Sequence, residues 1–138
     1  MSPSPIKRIL VAVDLSACSR AALEFARRVA EPLGASLEAL YVLSPDHGAG
    51  HELELAAARE ELHRFVHSVV GATPVVEHVE PGEPRERIVA VSDRGGFDAI
   101  VMGTEGRTGR ARAFAGSVAE SVVRTASVPV MTVREKRH

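Results

Sequence analysis

The sequence has 138 residues, a formal net charge of −1 and a pI near 6.6; 45% of its residues are hydrophobic and 25% are charged. This balance is ordinary for a globular domain, and the near-neutral charge argues against a nucleic-acid or anionic-membrane surface. No apolar run approaches the roughly 18 residues that span a membrane, and one tyrosine without tryptophan provides no platform for stacking nucleic-acid bases.

The first residues and the single cysteine indicate the cellular compartment of the protein. The Pro- and Ser-rich start lacks the apolar core of a signal peptide, and one cysteine cannot form an internal disulfide. Both features favour a reducing, cytoplasmic setting. We expect one domain over residues 1–138, with loose ends at 1–5 and 135–138.

The chain begins with a predicted strand and helix. Residues 6–13 form a β-branched apolar run, which is typical of a buried strand. Ser16 is a suitable N-cap for a helix that runs to about Glu31. Pro32 and Gly34 are expected to end this helix.

The middle of the chain repeats the alternation. A second strand is predicted at 36–43, and an apolar stripe at helical spacing predicts a helix over 51–70. A third strand follows at 75–79. After a turn, Pro84 suits the first position of a helix that stops at the glycines 95–96.

The last part completes an α/β pattern, with a fourth strand at 99–102, a helix at about 117–126 and a final strand at 128–133. Strands that alternate with helices predict a parallel sheet, covered on both faces by right-handed crossovers. We therefore expect a doubly wound five-stranded parallel sheet in the order 3-2-1-4-5, with helices on both faces.

Ligands in such sheets bind beyond the carboxyl ends of the strands, where the strand order reverses. The first strand ends at Asp14 and the fourth at Gly103, so both residues face one crevice if these strands are neighbours. Because like charges repel, Asp14 suits a ribose hydroxyl or a phosphate-bound Mg²⁺ better than a phosphate. The alternative for Asp14 is a cap on the first helix.

The stretch between the fourth strand and the last helix is rich in glycine. Its glycines are Gly103, Gly106, Gly109 and Gly116. Glycine lets the backbone approach a ligand closely, and Ser117 begins a helix whose first amide groups are unpaired and partly positive. This arrangement predicts a phosphate site. The alternatives are a plain surface loop and, for Ser117, a capping box with Glu120.

Three motifs together carry a family resemblance. They are the spacing Gly103-x₂-Gly106-x₉-Gly116-Ser117, the A-V-D at 12–14, and the closing run G-S-V-A-E-S-V-V-R-T-A-S-V-P-V-M-T-V. They resemble the universal stress protein family, and the glycine spacing is similar to that of its ATP-binding branch. The resemblance covers about residues 6–134.

The resemblance implies an adenine nucleotide alpha hydrolase-like fold that binds ATP, with Mg²⁺, between the first and fourth strands. Ribose and adenine would meet Asp14 and the backbone around Ala12 and Val13, and Val42 would pack on the base. The residues implied at the phosphates are Gly103, Gly106, Gly116, Ser117 and Val118, with Met102 beside them.

The resemblance also implies a cytoplasmic homodimer, formed through the last strand at 128–133, that acts in stress survival. Some members show weak hydrolysis or autophosphorylation, and another branch lacks the glycine pattern and does not bind ATP. The implied partners are an adenine nucleotide and a second copy. The near-neutral charge and the lack of a long apolar run argue against nucleic acid and a membrane as partners.

One residue departs from the family pattern. Glu105 places a carboxylate in the loop, which weakens phosphate binding unless it turns to solvent, pairs with Arg107 or Arg110, or helps to hold Mg²⁺. These arginines and Arg112 are interpreted as a solvated loop face, with one or two of them touching phosphate.

Other reactive residues are interpreted as structural. His63 and His67 have a metal-binding spacing on one helical face, but no third ligand is identifiable, so exposed histidines are expected. Cys18 lies in the first turn of the first predicted helix, where a thiol can be reactive, yet a small buried side chain is favoured. The sequence contains no P-loop, dinucleotide motif or recognisable catalytic triad.

Three functions remain open at this point. The first is a dimeric ATP-binding stress protein whose nucleotide changes which partners it meets. The second is a slow ATPase or autophosphorylating protein, in which Glu105 or Asp14 would hold Mg²⁺ and the acceptors would be Thr104, Thr108 or Ser117. The third is a dimeric scaffold without nucleotide.

Overall fold

The computed structural model describes residues 5–44, 52–104 and 117–135, in which strands and helices alternate. The strands are β1 (Arg8–Val13), β2 (Ser36–Leu43), β3 (Val75–Pro81), β4 (Ala99–Gly103) and β5 (Val130–Val133). The helices are α1 (Ala17–Leu33), α2 (Glu52–Val70), α3 (Pro84–Gly95) and α4 (Ser117–Thr125). Within these ranges no helix has the length and apolar character needed to cross a membrane.

The five strands form one parallel sheet in the order β3-β2-β1-β4-β5. The central strand β1 lies between β2 and β4, with Ala12 opposite Leu40 on one side and Met102 on the other. The predicted fold class and strand order are confirmed. The order reverses at β1, so the crevice expected in such folds lies between β1 and β4.

Apolar layers cover both faces of the sheet. Ile9, Val11 and Val13 pack beneath α1 and α2, whereas Leu10 and Ala12 pack beneath α3 and α4. Successive strand residues point to opposite faces. A central strand with helices on both sides is therefore apolar at every position, which accounts for the unbroken hydrophobic run in β1.

Helix α1 begins as predicted and ends later. The Oγ atom of Ser16 accepts a hydrogen bond from the backbone N–H of Ser19 at 3.1 Å and caps the helix. The expectation that Pro32 ends the helix is wrong, because α1 continues to Leu33. The fixed φ of proline is compatible with a helix, and Pro32 lies in the last turn. Gly34, with a φ of +66°, ends the helix and donates to the carbonyls of the last turn.

Strand β3 is longer than predicted. Glu80 and Pro81 were expected in a turn, but they lie opposite Val42 and Leu43 of β2. An edge strand tolerates proline because the missing N–H costs no ladder hydrogen bond on its open side. The turn follows at Gly82, whose φ is +140°.

The start of α3 agrees with the prediction, whereas the start of β5 does not. Pro84 occupies the first turn of α3, as predicted, and the side chain of Glu83 caps that helix. Strand β5 begins at Val130 rather than at residue 128, and the carbonyl of Pro129 accepts a hydrogen bond from Ile100 at 3.0 Å. Proline has no N–H to donate, which fits its place just outside the ladder.

Candidate functional site

The carboxyl ends of β1 and β4 lie side by side. Ala12 of β1 is the register partner of Met102 of β4. Asp14 directly follows β1 and Gly103 is the last residue of β4, so the two residues share one edge of the sheet. The predicted juxtaposition of the two strand ends is therefore present. A ligand at this edge would contact both.

The floor of the crevice is apolar. Ala12 and Met102 are 7% and 5% exposed and belong to the cluster beneath α3 and α4, against which Val42 and Val118 also pack. Val13 points to the opposite face and packs beneath α1 and α2. Of the implied site residues on this floor, Val13 can therefore contribute only its backbone to the crevice.

The turn after β1 holds the carboxylate of Asp14. Its Oδ1 atom accepts a hydrogen bond from the N–H of Ser16 at 3.0 Å, and its own N–H donates to the Oγ atom of Ser19 at 3.3 Å. Within the described residues, Oδ2 has no hydrogen-bond partner. Ser16 is the N-cap, so Asp14 shapes the turn before the helix through Oδ1.

Leu15 completes this turn in an unusual conformation. Its φ is +68°, a left-handed value that is uncommon for leucine, and its side chain packs against the core beneath α1 and α2. This packing offsets the cost of the left-handed backbone at Leu15. No residue pattern in the sequence indicates this conformation.

Gly103 has a packing role that the sequence did not reveal. A Cβ atom at this position would lie 2.9 Å from the Sγ atom of Cys18 and 3.0 Å from the Cys18 carbonyl. The first turn of α1 therefore sits directly against the end of β4. Glycine is required here by the fold, whatever ligand its backbone faces.

Cys18 is buried, as expected, and ties three elements together. Its side chain is 4% exposed, and the thiol donates to the carbonyl of Val133 at 3.2 Å. The same carbonyl accepts from the N–H of Thr104 at 3.0 Å. The contacts join α1, the end of β4 and the end of β5, and they give the thiol a structural role.

Ser117 is the first residue of α4, on the same side of the sheet as α3. The first amide groups of a helix have no intrahelical partner, so this end can bind anions. No hydrogen bond joins Ser117 to Glu120 in the part of the chain that is described, and Glu120 instead lies 3.8 Å from Arg124. The capping box given as the alternative for Ser117 is therefore not seen among the described residues.

Several predicted site residues fall between β4 and α4, outside the described residues. They are Gly106, Gly109, Gly116, Glu105, Arg107, Thr108, Arg110 and Arg112. Their placement at a phosphate site stays a prediction.

An ion cluster around the buried Glu38 crosses three strands on the α3 side of the sheet. Glu38 has a side chain only 11% exposed, and it accepts hydrogen bonds from Arg8 at 2.7 Å and from His78 at 2.8 Å. Burial raises the pKa of Glu38, but the bonds from Arg8 and His78 outweigh it and hold the pKa below its ordinary value. A charged residue between Leu37 and Ala39 was the available sequence signal for such a pair.

A second carboxylate on this side is held by two arginines. Oε1 of Glu80 accepts from Nη2 of Arg87 at 2.8 Å, and Oε2 accepts from Nη2 of Arg94 at 2.9 Å. Burial raises the pKa of Glu80, and the two guanidinium groups together lower it below its usual value. Glu80 is therefore an ionised hydrogen-bond acceptor at neutral pH.

The histidine pair lies on the opposite side. The side chain of His63 is 70% exposed, and Nδ1 lies 3.2 Å from the carboxylate of Glu77, a partner the sequence did not identify. The rings of His63 and His67 stack with centroids 6.3 Å apart. Nowhere in the described ranges do three metal-ligating side chains form a group that could hold an ion.

The comparisons with known proteins agree with this architecture. The sequence model of the universal stress protein family matches residues 5–134. The chain belongs to the universal stress protein family. One member, a universal stress protein of Methanocaldococcus jannaschii, is 31% identical over 142 aligned residues, which cover 95% of this chain and 84% of the relative.

Solved structures of universal stress proteins share the fold. UspA from Lactobacillus plantarum superimposes with a TM-score of 0.77 at 28% identity, covering 96% of this chain and 100% of that one. A universal stress protein from Archaeoglobus fulgidus, solved in complex with dAMP, gives a TM-score of 0.69 at 30% identity, covering 92% and 97%. The family and the sheet topology predicted from the sequence are thus confirmed.

Proposed function

We propose that this universal stress protein binds an adenine nucleotide, with ATP as the ligand, at the carboxyl edge of β1 and β4. The observation that carries the proposal is the meeting of Asp14, the apolar floor at Ala12 and Met102, and the start of α4 at one edge of the sheet. The Archaeoglobus fulgidus relative in complex with dAMP supports the choice of an adenine nucleotide.

The phosphates, the ribose and the base of a nucleotide can each be assigned to a described part of this edge, from α4 through β1 to β2. Phosphates suit the unpaired amides at Ser117, because the helix end is partly positive. A ribose hydroxyl can donate to Oδ2 of Asp14, which accepts no hydrogen bond from the residues that the structure describes. The base suits the apolar surface at Val42 on β2. Mg²⁺ bound with ATP would offset phosphate charge, and a carboxylate oxygen such as Oδ2 of Asp14 is the ligand type it prefers.

The protein acts, on this proposal, as a cytoplasmic regulatory module in the stress response. The ligand sits at the end of β1, where Asp14 connects through the turn at Ser16 to α1. Binding would stabilise this turn and so alter the surface presented to protein partners. On this proposal the nucleotide is a regulatory ligand that changes which protein partners bind.

We also propose a homodimer formed through residues 128–133. The sheet has two edge strands, and β3 carries Glu77, His78 and Glu80 before ending in Pro81, features that discourage edge pairing. Strand β5 has the uncharged sequence V-M-T-V. Its outer edge is open in a single chain and is the better site for a partner. Sedimentation should give a dimer, and a monomer at high micromolar concentration would contradict this part of the proposal.

Mass spectrometry of the purified protein tests for nucleotide without an added ligand. Protein purified quickly at low temperature and then denatured should release an adenine nucleotide in an amount approaching one per chain. The variant Ser117→Asp should release much less, because a carboxylate at the helix start repels phosphate while it favours the helix dipole. Ser121→Asp, one turn along α4, is the matched control and should retain the nucleotide. Equal nucleotide content in both variants would contradict the proposed phosphate position.

A further inference from the structure

Glu80 on the edge strand is the register neighbour of Val42. The two residues lie opposite each other in the parallel pair β2–β3, so their side chains point to the same face of the sheet. Neighbouring strands are about 4.8 Å apart. The ionised carboxylate is therefore one strand beyond the surface on which the base is proposed to lie.

The strand order gives the direction of the base. Phosphates at α4 and β4, ribose at β1 and base at β2 follow the sheet order β4-β1-β2-β3 outward. A purine is joined to ribose through its five-membered ring, so the edge that carries position 6 is farthest from the sugar. With the nucleotide placed as proposed, that edge would be directed toward β3 and Glu80.

Hydrogen bonds from Arg87 and Arg94 fix the carboxylate of Glu80 but do not use all of its acceptor positions. Oε1 accepts from Nε and Nη2 of Arg87 at 3.2 and 2.8 Å, and Oε2 accepts from Arg94 at 2.9 Å. A carboxylate has about four acceptor positions, so the three donors found among the described residues leave one position on Oε2. Both arginines keep Glu80 ionised and fix its orientation.

The backbone makes room for this arrangement at Gly82. A Cβ atom there would lie 2.7 Å from Cγ and 2.8 Å from Cδ of Arg87. The arginine stem therefore passes directly beneath the turn after β3 on its way to Glu80. The fixed carboxylate depends on a glycine at this turn.

We infer that Glu80 is a specificity-determining residue that selects a purine with an amino group at position 6. This inference rests on the proposed nucleotide site. The amino group of adenine donates a hydrogen bond to the remaining acceptor position of Glu80. Hypoxanthine and guanine carry a carbonyl at position 6, whose lone pairs would face this acceptor position and be repelled. Their neighbouring N1–H could donate to Glu80 only if the base shifted from the position proposed for adenine. The residue thus favours adenine nucleotides over inosine and guanine nucleotides.

The test compares ATP with ITP, which has the same sugar and triphosphate but a carbonyl at position 6. Titration of nucleotide-free protein should show ATP binding at least about tenfold more tightly than ITP, the size expected for a hydrogen bond to a charged group. In Glu80→Gln the ratio should fall to within about threefold, because an amide can donate to a carbonyl as well as accept.

Glu77→Gln is the matched control. It makes the same change on the same strand, but Glu77 faces His63 on the α2 side, so the ATP-to-ITP ratio should remain that of the parent protein. A parent ratio retained in Glu80→Gln would overturn the inference while leaving the proposed function intact. Absence of binding by either nucleotide to the parent protein would overturn both.

A ligand series on the parent protein needs no variant. Purine riboside triphosphate carries only hydrogen at position 6 and should bind between ATP and ITP, since it loses the donor without gaining the repelled carbonyl. Equal affinities for all three nucleotides would overturn the role of Glu80.

Discussion

Gly103 and Cys18 pack so closely that the end of β4 and the first turn of α1 leave no space for a side chain between them. The Sγ atom of Cys18 lies 2.9 Å from the position of a Cβ on Gly103. One of the glycines that predicts a phosphate site is thus also a packing requirement of the fold. The two roles can be separated by measuring stability without ligand.

We expect Gly103→Ala to destabilise the nucleotide-free protein by about 1–3 kcal/mol, the usual effect of overpacking a core position. Urea unfolding provides the measurement. The double variant with Cys18→Ala should recover only part of the loss, because the Cys18 carbonyl would still lie 3.0 Å from the added methyl group. A stability change within experimental error would show that the two elements separate easily.

The thiol of Cys18 should be unreactive in the folded protein, because it is buried and donates to the carbonyl of Val133. Since this is the single cysteine, a thiol reagent reports on it alone. Labelling should follow unfolding in denaturant, and it should be faster in Gly103→Ala than in the parent protein. Rapid, complete labelling of the native parent protein would contradict the buried position.

A second stability prediction concerns Ser16, the N-cap of α1. Ser16→Ala removes the acceptor for the N–H of Ser19 and should destabilise the protein by about 1 kcal/mol. Ser16→Thr keeps a hydroxyl at the same position and should be close to the parent protein. Denaturant unfolding of the three proteins distinguishes them, and equal stability of both variants would rule out a capping role.

The lowered pKa of Glu38 predicts how the free energy of unfolding depends on pH. The folded pKa lies below the unfolded one, so the contribution of Glu38 is present above the unfolded value of about 4.3 and is lost as the pH falls through the folded value. Glu38→Gln should therefore be less stable than the parent protein at pH 7, by about 1–3 kcal/mol, and should lose less stability in acid.

An exposed ion pair supplies the control for Glu38. Glu24 pairs with Arg27 on the surface of α1, and exposed pairs contribute about 0–1 kcal/mol. Glu24→Gln should change the free energy of unfolding little at any pH. Similar losses in both variants at pH 7 would mean that the cluster around Glu38 is no stronger than a surface pair.

The strand order and the meeting of Asp14 with Gly103 could be predicted because they follow from local patterns. Alternating apolar strands and amphipathic helices specify a doubly wound sheet, and the sheet then fixes which strand ends share an edge. The packing of Gly103 on Cys18 could not be predicted in this way, because it depends on how closely α1 approaches β4.

The ion clusters were missed for a related reason. Glu38 takes its partners from β1 and β3, and Glu80 takes its partners from α3, so each pairing depends on strand register and helix position. Composition along one strand shows only that a charge lies among apolar residues. The extension of β3 through Pro81 was missed as well, because proline and glycine at this point also suit a turn.

The central claim is that the edge formed by β1, β4 and the start of α4 binds an adenine nucleotide, and calorimetry on nucleotide-stripped protein tests it most directly. Titration with Mg-ATP should give saturable binding at micromolar to millimolar concentrations. Ser117→Asp should abolish or strongly weaken this binding, and Ser121→Asp should preserve it. Absence of binding to the folded parent protein across that range, or equal affinities in the two variants, would contradict the account.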